Sequence, residues 1–239
     1  MAAETLAVII PCLNEGASIG DLVRVVRESG CLCVVADGGS TDDGPEQAAR
    51  AGALVITAPR GRARQMNAGA SQALLAQPGL QTLLFLHADS VLPADWLAQC
   101  GRCPAQAWAR FDVNLHSDRL RGWRLGLLHT IGWFMNERSA LTGICTGDQA
   151  MVIGLAAWQH VEGFPVLPLM EDIEISRRLK RVAAHPIRLP GPIGVSARRW
   201  EQAGVVRTML HMWQLRLRWF FGESPDSIAR RYYPDRTHS

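Results

Sequence analysis

His87 and Asp89 stand two residues apart directly after the apolar run Leu83, Leu84, Phe85 and Leu86, in the stretch LLFLHADSVLP. An imidazole and a carboxylate at that spacing can share a divalent metal. Taken alone, the same stretch also reads as Asp89 or Ser90 capping a helix that opens near Pro93, Ala94 and Asp95. A second acidic pair, Glu171 and Asp172, lies in LMEDIEI. An Asp beside another carboxylate suits a general base, while acids in a first helical turn also answer the helix dipole. A third group, Arg60, Arg62 and Arg64 in PRGRAR, offers guanidinium forks that match phosphate oxygens.

These groups need a scaffold that brings them to one place. Residues 5–12 (TLAVIIPC) are apolar and β-branched and end in a turn at Asn14, Glu15 and Gly16. A helix follows, with Ile19, Leu22, Val23 and Val26 on one face and Arg24, Arg27 and Glu28 opposite. Residues 31–36 read as a second strand ending at Asp37, and a short helix then precedes a third strand at 53–57. The loop 59–64 opens a helix to about residue 76, and 83–86 read as a strand covered on both faces. The order β-α-β-α-β predicts parallel strands with right-handed crossovers, which put all these strand ends on one edge. That edge collects Asn14, Glu15, Asp37, Ser40, Asp42, the three arginines, His87 and Asp89. Ligands of open α/β sheets bind there, so the collection points to a phosphorylated ligand with a metal.

The second half is less regular. Residues 107–116 read as a strand, 120–138 as one or two helices, and 147–153 (GDQAMVI) as a further short strand. Glu171 and Asp172 begin a helix whose Ile175, Leu179 and Val182 face inward.

Composition narrows the classes. With 239 residues, 48% of them hydrophobic, the chain can bury a sizeable core in one large domain or one domain with an arm. A net charge of +3 demands no nucleic-acid partner, although all but Lys180 of the 25 basic residues are arginine. The start, MAAETLAVIIPC, places no basic segment before its apolar run, which predicts a cytoplasmic chain. No stretch approaches the ~20 apolar residues of a membrane helix. The six cysteines, including the isolated Cys100-Gly-Arg-Cys103, read as buried thiols of a reducing compartment.

With these motifs assembled, the chain resembles the family-2 glycosyltransferases, whose nucleotide-sugar-binding fold is called GT-A. Residues 8–15 (VIIPCLNE) resemble that family's first strand with its Pro-x-x-Asn-Glu turn, and 36–42 (ADGGSTD) resemble its Asp-Gly-Ser-x-Asp segment. The resemblance covers most of the chain. It implies an α/β fold with a mostly parallel sheet flanked by helices, as a GT-A domain at 1–200 and a C-terminal helical arm at 201–239. Glu15 and Asp37 would contact the uracil or ribose of a uridine nucleotide, with Pro11, Asn14 and Ser40 in the same donor site. The segment 60–67 (RGRARQMN), with Arg60, Arg64 and Asn67, would approach the sugar diphosphate. His87-Ala88-Asp89 takes the place of the Asp-x-Asp metal motif, and Glu171-Asp172 that of the catalytic base.

The implied cofactor is a divalent ion, Mg2+ or Mn2+. Because His87 replaces the first carboxylate, Asp89 would carry most of the metal contact. Where processive synthases have Gln-x-x-Arg-Trp, this chain has Ser196-Ala-Arg-Arg199-Trp200. That implies a single, non-processive transfer, with Arg199 and Trp200 toward the acceptor and diphosphate. The implied activity is inverting transfer from a nucleoside-diphosphate sugar, UDP-linked, to a small or lipid-linked acceptor. GRARQMNAGA and FFGESPDSIARRYY are similar to a small bacterial branch whose genes lie beside radical-SAM and selenium or arsenosugar functions.

Other classes leave different marks. A sugar nucleotidyltransferase carries a Gly-rich, Arg-containing loop where this chain has PCLNEG, and a dinucleotide oxidoreductase carries G-x-G-x-x-G there. A nucleotide-sugar-binding protein without catalysis would keep Asp37 and Asp89 but would not require Asp172. In the arm, 206–221 predict a helix with two apolar stripes. Val206, Met209, Leu210, Trp213, Leu217 and Phe220 are expected to pack on the domain, while Met212, Leu215 and Trp219 form the second stripe. Three roles stay open for that second stripe: burial under 228–233, contact with an anionic membrane at its inner face, or a homodimer contact.

Overall fold

The structure, a computed structural model, describes residues 3–117, 119–198, 201 and 204–232. The central strand β1 (Leu6–Cys12) pairs in parallel with β2 (Leu32–Asp37) on one side and β4 (Thr82–Phe85) on the other, and β3 (Leu54–Thr57) extends the sheet beyond β2. Leu6 to Ile10 are fully buried because helices cover both faces. Those helices are α1 (Ile19–Glu28), α2 (Gly44–Arg50) and α3 (Arg62–Ala76). Each βα crossover returns the chain to the same sheet edge, which brings the ends of β1, β2 and β4 together.

The second half adds β5 (Ser90–Val91), α4 (Trp96–Cys100), β6 (Trp108–His116), α5 (Trp123–Thr142) and β7 (Met151–Gly154). Then come α6 (Leu155–Val161), α7 (Glu171–Ala183) and β8 (Ile187–Ser196). The eight strands lie in the order β3-β2-β1-β4-β7-β6-β8-β5. β7 runs antiparallel to both β4 and β6, β5 antiparallel to β8, and the remaining neighbours are parallel. Two further helices, α8 (Val205–Phe220) and α9 (Pro225–Tyr232), close the chain, and Leu215 and Ile228 pack with Met170 and Ile173. No helix among the described residues is long and apolar enough to cross a membrane.

Several expectations are corrected. Residues 147–153 are not one strand: Gly147–Gln149 form a 3-10 turn and only then does β7 begin. Val182 is exposed, because α7 is ending there while Ile175 and Leu179 stay buried. The arm helix is turned the other way from its predicted face. Leu215 of the second stripe is buried, whereas Val206, Leu210, Trp213, Leu217 and Phe220 are exposed. Asp95, not Asp89 or Ser90, occupies the N-cap position of α4. All six cysteines are buried free thiols, and burial pushes Cys33, Cys103 and Cys145 up to about 12.

Candidate active site

A cavity of about 570 Å³ opens at the shared sheet edge. Pro11 and Glu15 after β1, Arg60 and Arg62 before and at the start of α3, and His87, Ala88 and Asp89 after β4 all line it. Glu171 and Asp172 at the start of α7 line it too, so the two acidic motifs, 82 positions apart in the chain between Asp89 and Glu171, meet in one space.

Its floor is tied by one amide. Gln65 is 4% exposed, and its Nε2 donates to the carbonyls of Cys12 at 2.8 Å and Ala36 at 2.9 Å, pinning the ends of β1 and β2 to α3. Asp37 accepts from the Gly39 and Ser40 backbone N–H groups and from the Ser40 hydroxyl at 2.6 Å. Ser40 Oγ accepts in turn from the Asn14 backbone N–H, and Asn14 Oδ1 accepts from the Thr41 backbone N–H at 2.8 Å. Asn14, Asp37 and Ser40 thus knit two loops together behind the cavity wall. Asn14 adopts φ 59°, a left-handed conformation that Asn tolerates better than most residues. Asn67 grips the backbone of Phe164 with both its amide nitrogen and its oxygen, at 2.8 and 2.9 Å, and Arg64 is exposed on α3. These five residues lie outside the cavity lining.

The acidic groups are differently held. Asp172 accepts from the Gly147 backbone N–H through Oδ2 at 3.1 Å and from its neighbour's N–H, Ile173, through Oδ1 at 2.8 Å. Glu171 is 4% exposed, and burial, reinforced by the Asp172 charge, raises its carboxyl above the ordinary range. Arg62 offsets part of that from 3.6 Å. Glu15 is raised as well, by burial first and Asp89 second, with Arg198 at 3.8 Å opposing.

His87 is occupied by its neighbours. Its Nδ1 lies 3.1 Å from Arg62 Nη2 and 3.3 Å from Asp148 Oδ1, and its Nε2 is buried without a partner against Gly147. A Cβ on Gly147 would sit 2.4 Å from that Nε2, so any larger residue must displace the His87 ring. Among the described residues no group of three His, Cys, Asp or Glu is arranged to hold a metal by itself. A divalent ion beside a diphosphate takes one or two carboxylates and draws its other oxygens from substrate and water. Asp89 in the cavity fits that demand, while His87 is better placed to orient Arg62 and Asp148.

Sequence reasoning missed Gln65, Asp148 and Arg198 in this cavity. Gln65 lies within the 60–67 segment but was not singled out from it, Asp148 carried no motif signal, and Arg198 stands one position before the arginine that the resemblance singled out. Arg199 and Trp200 lie outside the described residues.

The fold is of the α/β GT-A type, a mostly parallel sheet flanked by helices. Residues 7–100 match the model of the family described as Glycosyl transferase family 2. Uncharacterized glycosyltransferases of Mycobacterium bovis and Mycobacterium tuberculosis are 40% identical over 60 residues, 25% of this chain and 27% of theirs. The match thus spans about a quarter of the length of those curated relatives. The structure of S. aureus TarS in complex with UDP-GlcNAc superposes with a TM-score of 0.58 at 16% identity, covering 80% of this chain and 58% of that one. Glucosyl-3-phosphoglycerate synthase from Mycobacterium tuberculosis, in complex with Mn2+, UDP and glucosyl-3-phosphoglycerate, gives 0.52 at 17% identity, covering 81% and 72%. At such identities the likeness establishes the fold alone.

Proposed function

We propose that the protein is an inverting, metal-dependent, non-processive glycosyltransferase that moves a sugar from a UDP-linked donor to a small or lipid-linked acceptor. The observation that carries this reading is Asp172, held by two backbone N–H groups on the wall of the same cavity that Glu15, Arg60 and Asp89 line. The UDP donor class is drawn from TarS with UDP-GlcNAc and from the synthase with Mn2+ and UDP. The motifs at 61–70 and 220–233 support the small bacterial branch, and 1–200 with 201–239 remain our division into catalytic domain and arm.

In this mechanism Glu15 and Pro11 receive the nucleoside, and Arg60 and Arg62 meet the diphosphate with charge-assisted N–H bonds. Mg2+ or Mn2+, held by Asp89, would supply positive charge against the leaving diphosphate when bound. Asp172 accepts the proton of the acceptor hydroxyl as that oxygen attacks the anomeric carbon, giving inversion. Glu171 lies behind it, keeping Arg62 in place. Donor and base share one cavity, so their charges act on the same reacting atoms.

A sugar nucleotidyltransferase is disfavoured by the PCLNEG turn after β1, and a binding protein without catalysis would not require Asp172. Release of nucleoside diphosphate from a panel of nucleotide sugars, with and without Mg2+ or Mn2+, tests the reading. No release from any donor under either condition would overturn it.

A further inference from the structure

The cavity continues past the donor groups. Beyond Asp172 its wall is built from Ile131 and Met135 of α5 and from Thr208, Met212 and Arg216 of α8. Ile131 and Met135 are one helical turn apart, and Arg138 continues their stripe. Arg138 Nη1 donates to the Ile144 carbonyl at 3.2 Å, but its Nε and Nη2 are buried with no partner. Thr208 is 6% exposed and its hydroxyl is likewise without a partner. Burial, and then the like charge of Arg216, press the Arg138 guanidinium down to about 10, while Asp172 acts on it in the opposite sense.

Leaving two guanidinium nitrogens without acceptors in a buried place is costly, more so beside a second arginine. An oxyanion bound at Arg216 would offset the like charges of the two arginines, since planar guanidinium forks match phosphate and carboxylate oxygens. Met135, Met212 and Ile131 supply apolar walls for the rest of a small molecule. We propose that Arg216 on the cavity wall, with the buried Arg138 guanidinium behind it, forms an oxyanion subsite for the acceptor, which therefore carries a phosphate or carboxylate as well as the hydroxyl that faces Asp172. This assignment of substrate class rests on the reading of Asp172 as the base.

The test is calorimetric titration of the UDP-saturated protein with glycerol 3-phosphate, glycerate and glycerol, so that the donor's own diphosphate site is filled. The anions should bind and glycerol should not, and the stronger anion tells phosphate from carboxylate. Losing a hydrogen bond to a charged group costs ~1.5–3 kcal/mol, so Arg216→Gln should weaken anion binding by about 10- to 100-fold. Arg216→Lys should retain most of it, and UDP affinity should be the same in all three proteins. Anion binding that ignores Arg216→Gln, or that glycerol equals, overturns the subsite. Failure of UDP itself to bind the wild-type chain overturns the donor reading instead, and the anion titration of wild type against Arg216→Gln then still decides the subsite.

Discussion

The backbone N–H of Gly147 donates to Oδ2 of Asp172 across 3.1 Å, joining the 3-10 turn before β7 to the first turn of α7. With Ile173 bonded to Oδ1, both carboxylate oxygens are oriented, and each keeps a lone pair for an incoming hydroxyl. Asp172→Asn removes the basic oxygen but not the bulk. Transfer should fall by about 10²- to 10⁴-fold, the usual worth of a general base, while UDP-sugar affinity is kept. Steady-state transfer rates and donor calorimetry on the same sample check this, and turnover near the wild-type value would remove Asp172 from the base role.

Gly147 does two jobs, since its N–H holds Asp172 and its Cα makes room for the His87 ring. Gly147→Ala places a methyl 2.4 Å from His87 Nε2, so the ring must shift and take Arg62 and Asp148 with it. Overpacking of this kind costs typically ~1–3 kcal/mol. A thermal melt should therefore show a lowered Tm, and donor binding should weaken with it. An alanine variant as stable and as tight as the wild type would mean that His87 moves freely.

The first four strands were legible because each is an apolar run ending in turn residues, and a strand buried on both faces leaves that signature in sequence. Strand β8 was not, because Pro190, Gly191 and Pro192 interrupt it. The structure shows why they are tolerated: the register of β6 against β8 slips between Phe111 and Asp112, and Pro190 and Gly191 are the extra residues of that bulge. Periodicity found both stripes of α8 but assigned the wrong one to the domain, since both are apolar and only the packing of Leu215 with Met170, Ile173 and Ile228 decides which is covered. The motif residues at the site were legible one by one. Which of them knit loops, as Asn14, Asp37 and Ser40 do, and which face the cavity is a matter of long-range packing.

Burial raises the Glu171 carboxyl, and the sign of its effect on stability follows from that direction. Between its ordinary pKa and the raised folded value, the native state binds more protons than the unfolded one, so stability falls as pH rises through that window. Glu171→Gln removes the charge that must be buried. The variant should gain on the wild type at neutral pH, and the difference should vanish below about pH 4, where the unfolded glutamate is also protonated. Urea midpoints at pH 4 and pH 7.5 measure it. A variant less stable at pH 7.5 would show that the ion pair with Arg62 outweighs desolvation.

In the proposed mechanism Asp89, a carboxylate of the cavity lining, shares the divalent ion with the diphosphate, while His87 contacts Arg62 and Asp148. Mn2+ should therefore tighten UDP binding to the wild type, and a chelator should abolish that gain. Asp89→Ala should bind UDP with the weaker affinity whether or not Mn2+ is present. His87→Ala should keep a metal response. Calorimetry of the three proteins in Mn2+ and in chelator separates the cases, and a metal response that survives Asp89→Ala would transfer the ligand role to another group.

Phe134 of α5 and Trp213 of α8 face each other with ring centroids 6.5 Å apart, yet each is 54% exposed. Trp133, Leu210, Leu217, Phe220 and Phe221 extend this apolar face, which the fold leaves uncovered among the described residues. Contiguous exposed apolar area of this kind marks a contact surface, and Arg207 on the same helix adds positive charge beside it. We propose an anionic lipid surface as its partner, which would bring the cavity to a lipid-linked acceptor. Trp213→Ser with Leu217→Ser should lower co-sedimentation with phosphatidylserine-containing vesicles and leave the melting temperature nearly unchanged, because side chains already in water lose little on truncation. Salt should weaken the wild-type binding, as expected when arginine meets lipid phosphate. If the wild type ignores vesicles and sediments as a dimer that the double variant splits, the face joins two copies of the chain instead.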